Sequence, residues 1–299
     1  YHGIDDKTLL QEYAKVCSDV LHNKYEKFLP KIFPARDDGE ISNRKIKICV
    51  TTAHIKQHSV WHSHLEGLYR RLDRTRFELH TINLTGAKAA QCEFAQQHSD
   101  SYCEMFGVED EAVIAKVLAL QADVLLYPEV GLHAQTGRLA ALRLLKNQVA
   151  MWGNPETTGL STIDGFISLD EIEGAKAQDH YSENLMRMPL SEHYYAKRDF
   201  QSQGKVAERL GLDAKKKWVI CSGTAFKFQY KFFDFFGHAW QNLGGVQFVF
   251  FQQDTLVYKS LESRLSSIVA AHKKPDNSLL FLPWLPEDDY YELMHASSA

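Results

Sequence analysis

Short β-rich apolar runs alternate along this chain with stretches of helical periodicity, and that alternation restricts its fold more than any other feature. Ile46-Lys47-Ile48-Cys49-Val50 predicts a strand, and residues 58–72 read as a helix through Leu65, Leu68 and Leu72. Phe77 to Asn83 alternates as a strand, and 110–121 is helical through Val113, Val117 and Leu120. Asp123 to Tyr127 predicts a buried strand, 136–145 a helix and Gln148 to Trp152 another strand; Gly165 to Ser168 closes the series. Strands separated by helices of about 10–15 residues imply right-handed βαβ units and a parallel sheet.

The alternation pauses between about 185 and 215, a charged and amide-rich stretch, and then restarts. Trp218 to Cys221, Val246 to Phe251 and Leu279 to Phe281 predict strands, with helices over 230–242, 256–271 and 287–296. A doubly wound domain has about five or six strands, so three strands predict a partial second domain. Ahead of both series, residues 7–29 read as a helix, with Leu9, Leu10, Tyr13, Val16, Cys17, Val20 and Leu21 as its apolar stripe. Pro34-Ala35-Arg36-Asp37-Asp38-Gly39-Glu40 is turn-rich and predicts a linker. The expected architecture is therefore α/β: a helical prefix and linker over 1–44, a Rossmann-like domain over 45–190 and a partial one over 191–299.

Bulk properties remove several classes of function. A net charge of −4 does not suit a protein built to coat nucleic acid. No apolar run approaches the roughly 20 residues of a membrane helix. The first residues lack a basic stretch followed by an apolar one, so no signal peptide is expected. They also lack a starting Met, which leads us to expect a piece of a longer chain. Cys17, Cys49, Cys92, Cys103 and Cys221 form no C-x-x-C pair, which favours reduced thiols and a cytoplasmic setting.

No G-x-G-x-x-G, Walker A, HExxH or G-x-S-x-G motif occurs. Histidines are the densest polar feature: His54, His58, His62 and His64 follow the first strand, where ligands of such sheets collect. His58 and His62, four apart, would share a helix face as a metal pair, but no third ligand has a familiar spacing. Contact with a sugar or acceptor suits them better, and ordinary packing histidines remain the alternative. Glu129, Gly131 and His133 stand at the end of what reads as the third strand. The carboxylate and imidazole there suit acid–base or hydroxyl-binding roles, or a plain solvated turn. The loop after the next strand contains Gly153, Asn154, Pro155, Thr157 and Thr158, offering amides and hydroxyls but no strong nucleophile. Finally, Cys221-Ser222-Gly223-Thr224-Ala225-Phe226-Lys227 pairs a small-residue turn with a lysine, as a phosphate site would; a solvated lysine in a βα loop is the alternative.

Taken in this order, these segments resemble the bacterial O-GlcNAc transferase/SPINDLY-like glycosyltransferases, a group that includes adhesin-modifying N-glycosyltransferases. The resemblance spans roughly 45–299. It is carried by His58-Ser59-Val60 with Leu72 to Glu78, Tyr127 to Gly131, Ala141-Leu142-Arg143-Leu144 and the Trp152–Asp164 loop. Asp179 to Glu183, Gly223 to Lys227 and Phe281 to Leu285 complete it. It implies a GT-B fold and a metal-independent reaction needing no cofactor. The donor would be a nucleotide sugar, UDP-linked, carrying GlcNAc or a hexose. The acceptor would be a protein Ser, Thr or Asn side chain, with an upstream tetratricopeptide region as a further implied partner. Carried over by residue, Lys227 would meet the donor diphosphate with Gly223 and Thr224 shaping its loop. His58 would be the active-site histidine, and Gly153 to Thr158 would border the cleft. His58, Glu129 and His133 all qualify chemically as general base.

The chain departs from the pattern at Asn154, where related sequences have His, and at His133, where they have Asp. Either sugar or acceptor preference would differ with those positions, or activity would be reduced. After Glu292 to Ala296 the family continues into an acidic strand and a phosphate-binding loop, so the present chain alone is expected to be inactive. The competing readings are a catalytically incomplete module that serves as a binding scaffold, and a transferase for a small or lipid-linked acceptor.

Overall fold

The computed structural model describes residues 5–33, 44–197, 205–271 and 278–297. They fall into two compact units, one ending at Lys197 and the other lying beyond it. The predicted linker Pro34–Glu40 lies outside the described residues.

The first unit is built on a seven-stranded sheet. Its elements are α1 (Lys7–Tyr25), β1 (Ile46–Thr52), α2 (Glu66–Arg71), β2 (Phe77–Asn83), α3 (Ala90–Gln97), β3 (Ser101–Glu104) and α4 (Asp110–Leu120). They continue with β4 (Val124–Tyr127), α5 (Ala134–Ala140), β5 (Asn147–Met151), β6 (Gly165–Leu169) and β7 (Asn184–Met188). Strand order is β3-β2-β1-β4-β5-β6-β7, and every pairing is parallel. In register, Ile48 lies beside Leu79 of β2 on one side and Val124 of β4 on the other. The alternating side chains feed two cores: Cys49, Leu125 and Tyr127 face one layer, while Val50 and Leu126 face the other.

Three elements of this unit escape the sequence periodicity. Strands β3 and β7 lie at the two sheet edges and carry few buried side chains, so they lack the apolar run of a central strand. Helix α3, rich in Ala and Gln, buries only Cys92 and Ala95. Tyr127 therefore ends the fourth strand in chain order, not the third.

Two predicted helices are also redrawn. Helix α5 stops at Ala140, and Leu142, Leu144 and Leu145 are buried in a non-helical turn. Buried Gln148 satisfies that turn: its Oε1 accepts from Leu144 N at 2.8 Å, and its Nε2 donates to Leu142 O at 3.0 Å. Periodicity cannot distinguish such a turn from a helix. The predicted helix 58–72 contains a wide turn over Trp61–Leu65, where the Glu66 amide reaches back to Trp61 O, and α2 follows it.

Helix α1 belongs to this unit rather than standing apart. Ala14 and Tyr25 are buried and Leu21 packs on the same core, whereas Leu9, Tyr13, Val16 and Val20 are exposed. Only part of the predicted stripe thus faces inward. Gly159 lets the helix approach: its φ is +69°, and a Cβ there would lie 2.5 Å from the Leu10 backbone.

The second unit has a three-stranded parallel sheet in the order β10-β9-β8. Its elements are α6 (Val206–Arg209), β8 (Lys217–Cys221), α7 (Tyr230–Asn242), β9 (Val246–Phe251), α8 (Leu256–Ala271), β10 (Leu279–Leu282) and α9 (Glu287–Ala296). Phe236, Trp240, Phe248, Phe250 and Leu265 form the core on one face, and Val249, Phe251, Leu282 and Leu293 on the other. No helix among the described residues is long and apolar enough to cross a membrane.

Candidate functional site

In the first sheet the strand order reverses direction between β1 and β4. Connections leave those two strands toward opposite flanks, which opens a crevice at their carboxyl ends. Thr52-Ala53-His54 enters that crevice from β1, and Glu129 enters it from β4.

Glu129 is wholly buried. Thr52 Oγ1 donates to its carboxylate at 2.8 Å, and the Ala53 amide donates to Oε1 at 3.0 Å. Thr52 Oγ1 in turn accepts from the His54 amide at 3.0 Å, fixing the turn that carries the imidazole. His54 Nδ1 lies 3.0 Å from Glu129 Oε1, yet its N–H is not aligned on that oxygen as a formed hydrogen bond requires. The contact is therefore a close approach that a ring rotation would turn into a hydrogen bond.

The His54 and His58 rings approach to 4.4 Å between centroids. His58 Nδ1 accepts from the Val60 amide at 3.1 Å. Burial, followed by the proximity of His54 and Lys56, pushes the His58 imidazole down to about 4. His133 precedes α5, and its carbonyl accepts from Thr136 Oγ1 at 2.8 Å. Its imidazole is lowered too, by burial first and by His54 second. Glu129, His54, His58 and His133 thus form one electrostatic group.

His62 does not join His58 in a shared helical pair. His58 stands ahead of the helix, and His62 Nδ1 lies 3.5 Å from Glu66. His64 is buried against Trp152, with centroids 4.4 Å apart, and belongs to the core. Among the described residues no three His, Cys, Asp or Glu side chains form a metal-ligand set.

The loop after β5 is tied down at both ends. The Gly153 amide donates to Pro128 O at 3.1 Å, an approach that a Cβ, 2.3 Å from that oxygen, would block. Asn154 Nδ2 donates to Val130 O at 3.0 Å, and Pro155 is exposed. Farther along, buried Glu183 accepts from Thr157 Oγ1 at 2.6 Å and from the Thr158 amide at 2.8 Å. Between this loop, His133 and α1 lies a hollow of about 480 Å³, with Tyr13 and Cys17 on the helix wall and Asn154, Thr157 and Thr158 opposite.

In the second unit, Gly223, Thr224 and Lys227 occupy the turn after β8. The Lys227 amide donates to Thr224 O at 2.9 Å, closing a single tight turn. Thr224 Oγ1 is buried with no hydrogen-bond partner, and Lys227 is exposed with no carboxylate beside it among the described residues. A Cβ at Gly223 would press on the Phe228 ring at 3.2 Å.

Motif reading does not foresee the roles of Thr52, Ala53 and Glu183. Glu129 meets Thr52 across 77 positions, and Thr157 meets Glu183 across 26, so no local spacing announces either pair.

No protein-family model and no curated protein sequence matches this chain. Solved structures do resemble it. A lysine-to-methionine mutant of the Thermobaculum terrenum O-GlcNAc transferase is similar at a TM-score of 0.72 and 16% identity, over 94% of this chain and 53% of that one. The Anabaena protein HepE, in complex with UDP and glucose, is similar at a TM-score of 0.54 and 11% identity, over 84% and 72%. Likeness at these identities establishes the fold, which is of the GT-B type. The chain spans about half the length, 53%, of the Thermobaculum protein.

Proposed function

We propose that this chain is part of a glycosyltransferase that moves GlcNAc or a hexose from a UDP-linked donor to a protein Ser, Thr or Asn side chain. The observation that carries this reading is the buried Glu129 carboxylate, 3.0 Å from His54 Nδ1, with His58 beside it at the switch point of the first sheet. The His58 and His133 imidazoles, lowered by burial in the crevice, suit contact with a sugar or acceptor hydroxyl, and one protein of similar fold is solved in complex with UDP and glucose.

On this reading the second unit receives the donor. Departure of a nucleoside diphosphate concentrates negative charge on phosphate oxygens. A lysine ammonium, turn amides and a free hydroxyl stabilise that charge where it develops. Lys227 supplies the ammonium, and Thr224 supplies an Oγ1 that is buried without a partner. The hollow lined by Tyr13, Asn154 and Thr157 receives the acceptor segment.

Calorimetric titration of UDP, UDP-GlcNAc and UDP-glucose into the chain tests the donor assignment. Saturable binding, weakened about tenfold or more by Lys227→Ala, is the expected result, since a charge-assisted phosphate contact contributes about 1.5–3 kcal/mol. Binding that ignores both Lys227→Ala and Thr224→Val would remove the donor site from this turn. No binding of any of the three would favour a scaffold module instead.

A further inference from the structure

Two histidines and a carboxylate meet at the crevice, and their hydrogen-bonding surroundings give them different chemistry. Resting on the transferase reading above, we propose that His54 is the proton acceptor of the reaction, that Glu129 is its positioning residue, and that His58 is a hydrogen-bond donor rather than a base.

The assignment follows from where each proton must sit. A neutral imidazole carries one N–H, and whichever nitrogen accepts a hydrogen bond lacks it. His58 Nδ1 accepts from the Val60 amide at 3.1 Å, so neutral His58 holds its proton on Nε2 and presents a donor. At His54 the polarity is opposite. Glu129 Oε1 stands 3.0 Å from Nδ1, and a carboxylate can only accept, so the proton belongs on Nδ1 and the Nε2 lone pair is left open. The imperfect alignment of this contact matches catalytic hydrogen bonds that tighten only when substrate arrives.

Glu129 does not take the proton itself. Its carboxylate is wholly buried, and its oxygens already accept from Thr52 Oγ1 and the Ala53 amide. Those bonds aim it at His54, where its charge stabilises an imidazolium. Glu129, His58, His133 and Lys56 share the electrostatic surroundings of His54, and Glu129 is the one anion among these four.

The step is then complete. The acceptor oxygen bonds to the anomeric carbon while the bond from that carbon to the diphosphate oxygen breaks. The hydroxyl proton passes to His54 Nε2, and the nucleoside diphosphate leaves with the electron pair. An imidazole matches a Ser or Thr hydroxyl better than an amide N–H, which is far less willing to lose its proton, so hydroxyl acceptors are favoured.

The tautomers can be read directly. In ¹⁵N-labelled protein at neutral pH, two-bond proton–nitrogen correlations should show His54 as the Nδ1–H form and His58 as the Nε2–H form. Loss of the respective signals in His54→Gln and His58→Gln makes the assignments. Glu129→Gln, whose amide can donate to Nδ1, should switch His54 to the Nε2–H form. In the longest native form of the protein, His54→Gln should lower kcat by about 100-fold or more while the donor KM stays within about twofold. An Nε2–H tautomer at His54 in the unsubstituted protein, or kcat unaffected by His54→Gln, overturns the proposal. Should Glu129→Gln fail to fold, the two wild-type tautomers decide. Tautomers as stated together with failure to bind any UDP-sugar would overturn the transferase reading and leave the proton assignment standing.

Discussion

Tyr25, the last residue of α1, donates its hydroxyl to Asp110 at the start of α4 over 2.9 Å, inside the core. Asp110 also accepts from Arg138 Nε at 2.6 Å and from Gln135 Nε2 at 3.0 Å. One carboxylate therefore joins α1, α4 and α5, and through α1 it steadies a wall of the 480 Å³ hollow. Burial alone would raise the Asp110 carboxyl, but the bonds from Arg138, Gln135 and Tyr25 outweigh it and hold the group below its ordinary value. A depressed folded value means stability that is present above the unfolded pKa, near 3.9, and lost as pH falls through the folded value. Asp110→Asn should cost about 2 kcal/mol near neutral pH and flatten the acid limb of the stability curve, as urea unfolding at stepped pH would show.

Gly153 gives a sharper steric test. An added Cβ would sit 2.3 Å from Pro128 O and force apart the loops that follow β4 and β5. Gly153→Ala should destabilise the first unit by about 2–4 kcal/mol, whereas Gly174→Ala, which meets nothing within 4 Å, should stay within about 0.5 kcal/mol. Chemical denaturation of the two variants side by side provides the comparison.

Glu183 anchors the cleft loop from a distance. Glu183→Ala strips Thr157 Oγ1 and the Thr158 amide of their acceptor. The expected outcome is faster hydrogen exchange at the Thr158 amide and a loss of about 2–3 kcal/mol, the cost of orphaning buried donors to a charged group. Exchange unchanged at that amide would show that other contacts hold the loop.

Histidine burial sets a second pH window. His64 is pushed down to about 4, by burial first and by the positive charge of His193 second. Its neutral form is favoured on folding, so the stability tied to it is full above the unfolded value of about 6.5 and declines as pH falls toward 4. His64→Gln should reduce the difference in unfolding free energy between pH 7 and pH 5, measured in urea.

Much of the fold was legible because central strands of a parallel sheet are buried on both faces and announce themselves as apolar runs. Ile46–Val50 and Asp123–Tyr127 are visible for that reason, and Phe77–Asn83 by its alternation. The edge strands at Ser101 and Asn184 were not, because an edge is half solvated and its residues read as loop. At the site, sequence placed Glu129 and His133 beside a strand end, since glycine and polar residues mark such a turn. It could not show that Glu129 is spent on Thr52, Ala53 and His54, because those partners come from another strand. The hidden split of the α1 stripe has a similar origin: Leu9 and Leu10 look alike in sequence, and only the docking of Ala14 and Tyr25 decides which one turns inward.

Sugar transfer itself is the most direct test. The longest native form of the protein would be incubated with UDP-GlcNAc or UDP-glucose and unstructured peptides rich in Ser, Thr and Asn, and modified residues would be located by fragmentation mass spectrometry. The predicted result is a single sugar on peptide side chains, with Ser and Thr modified ahead of Asn and with the product lost in His54→Gln. Peptides left unmodified while UDP and UDP-sugar bind would contradict it.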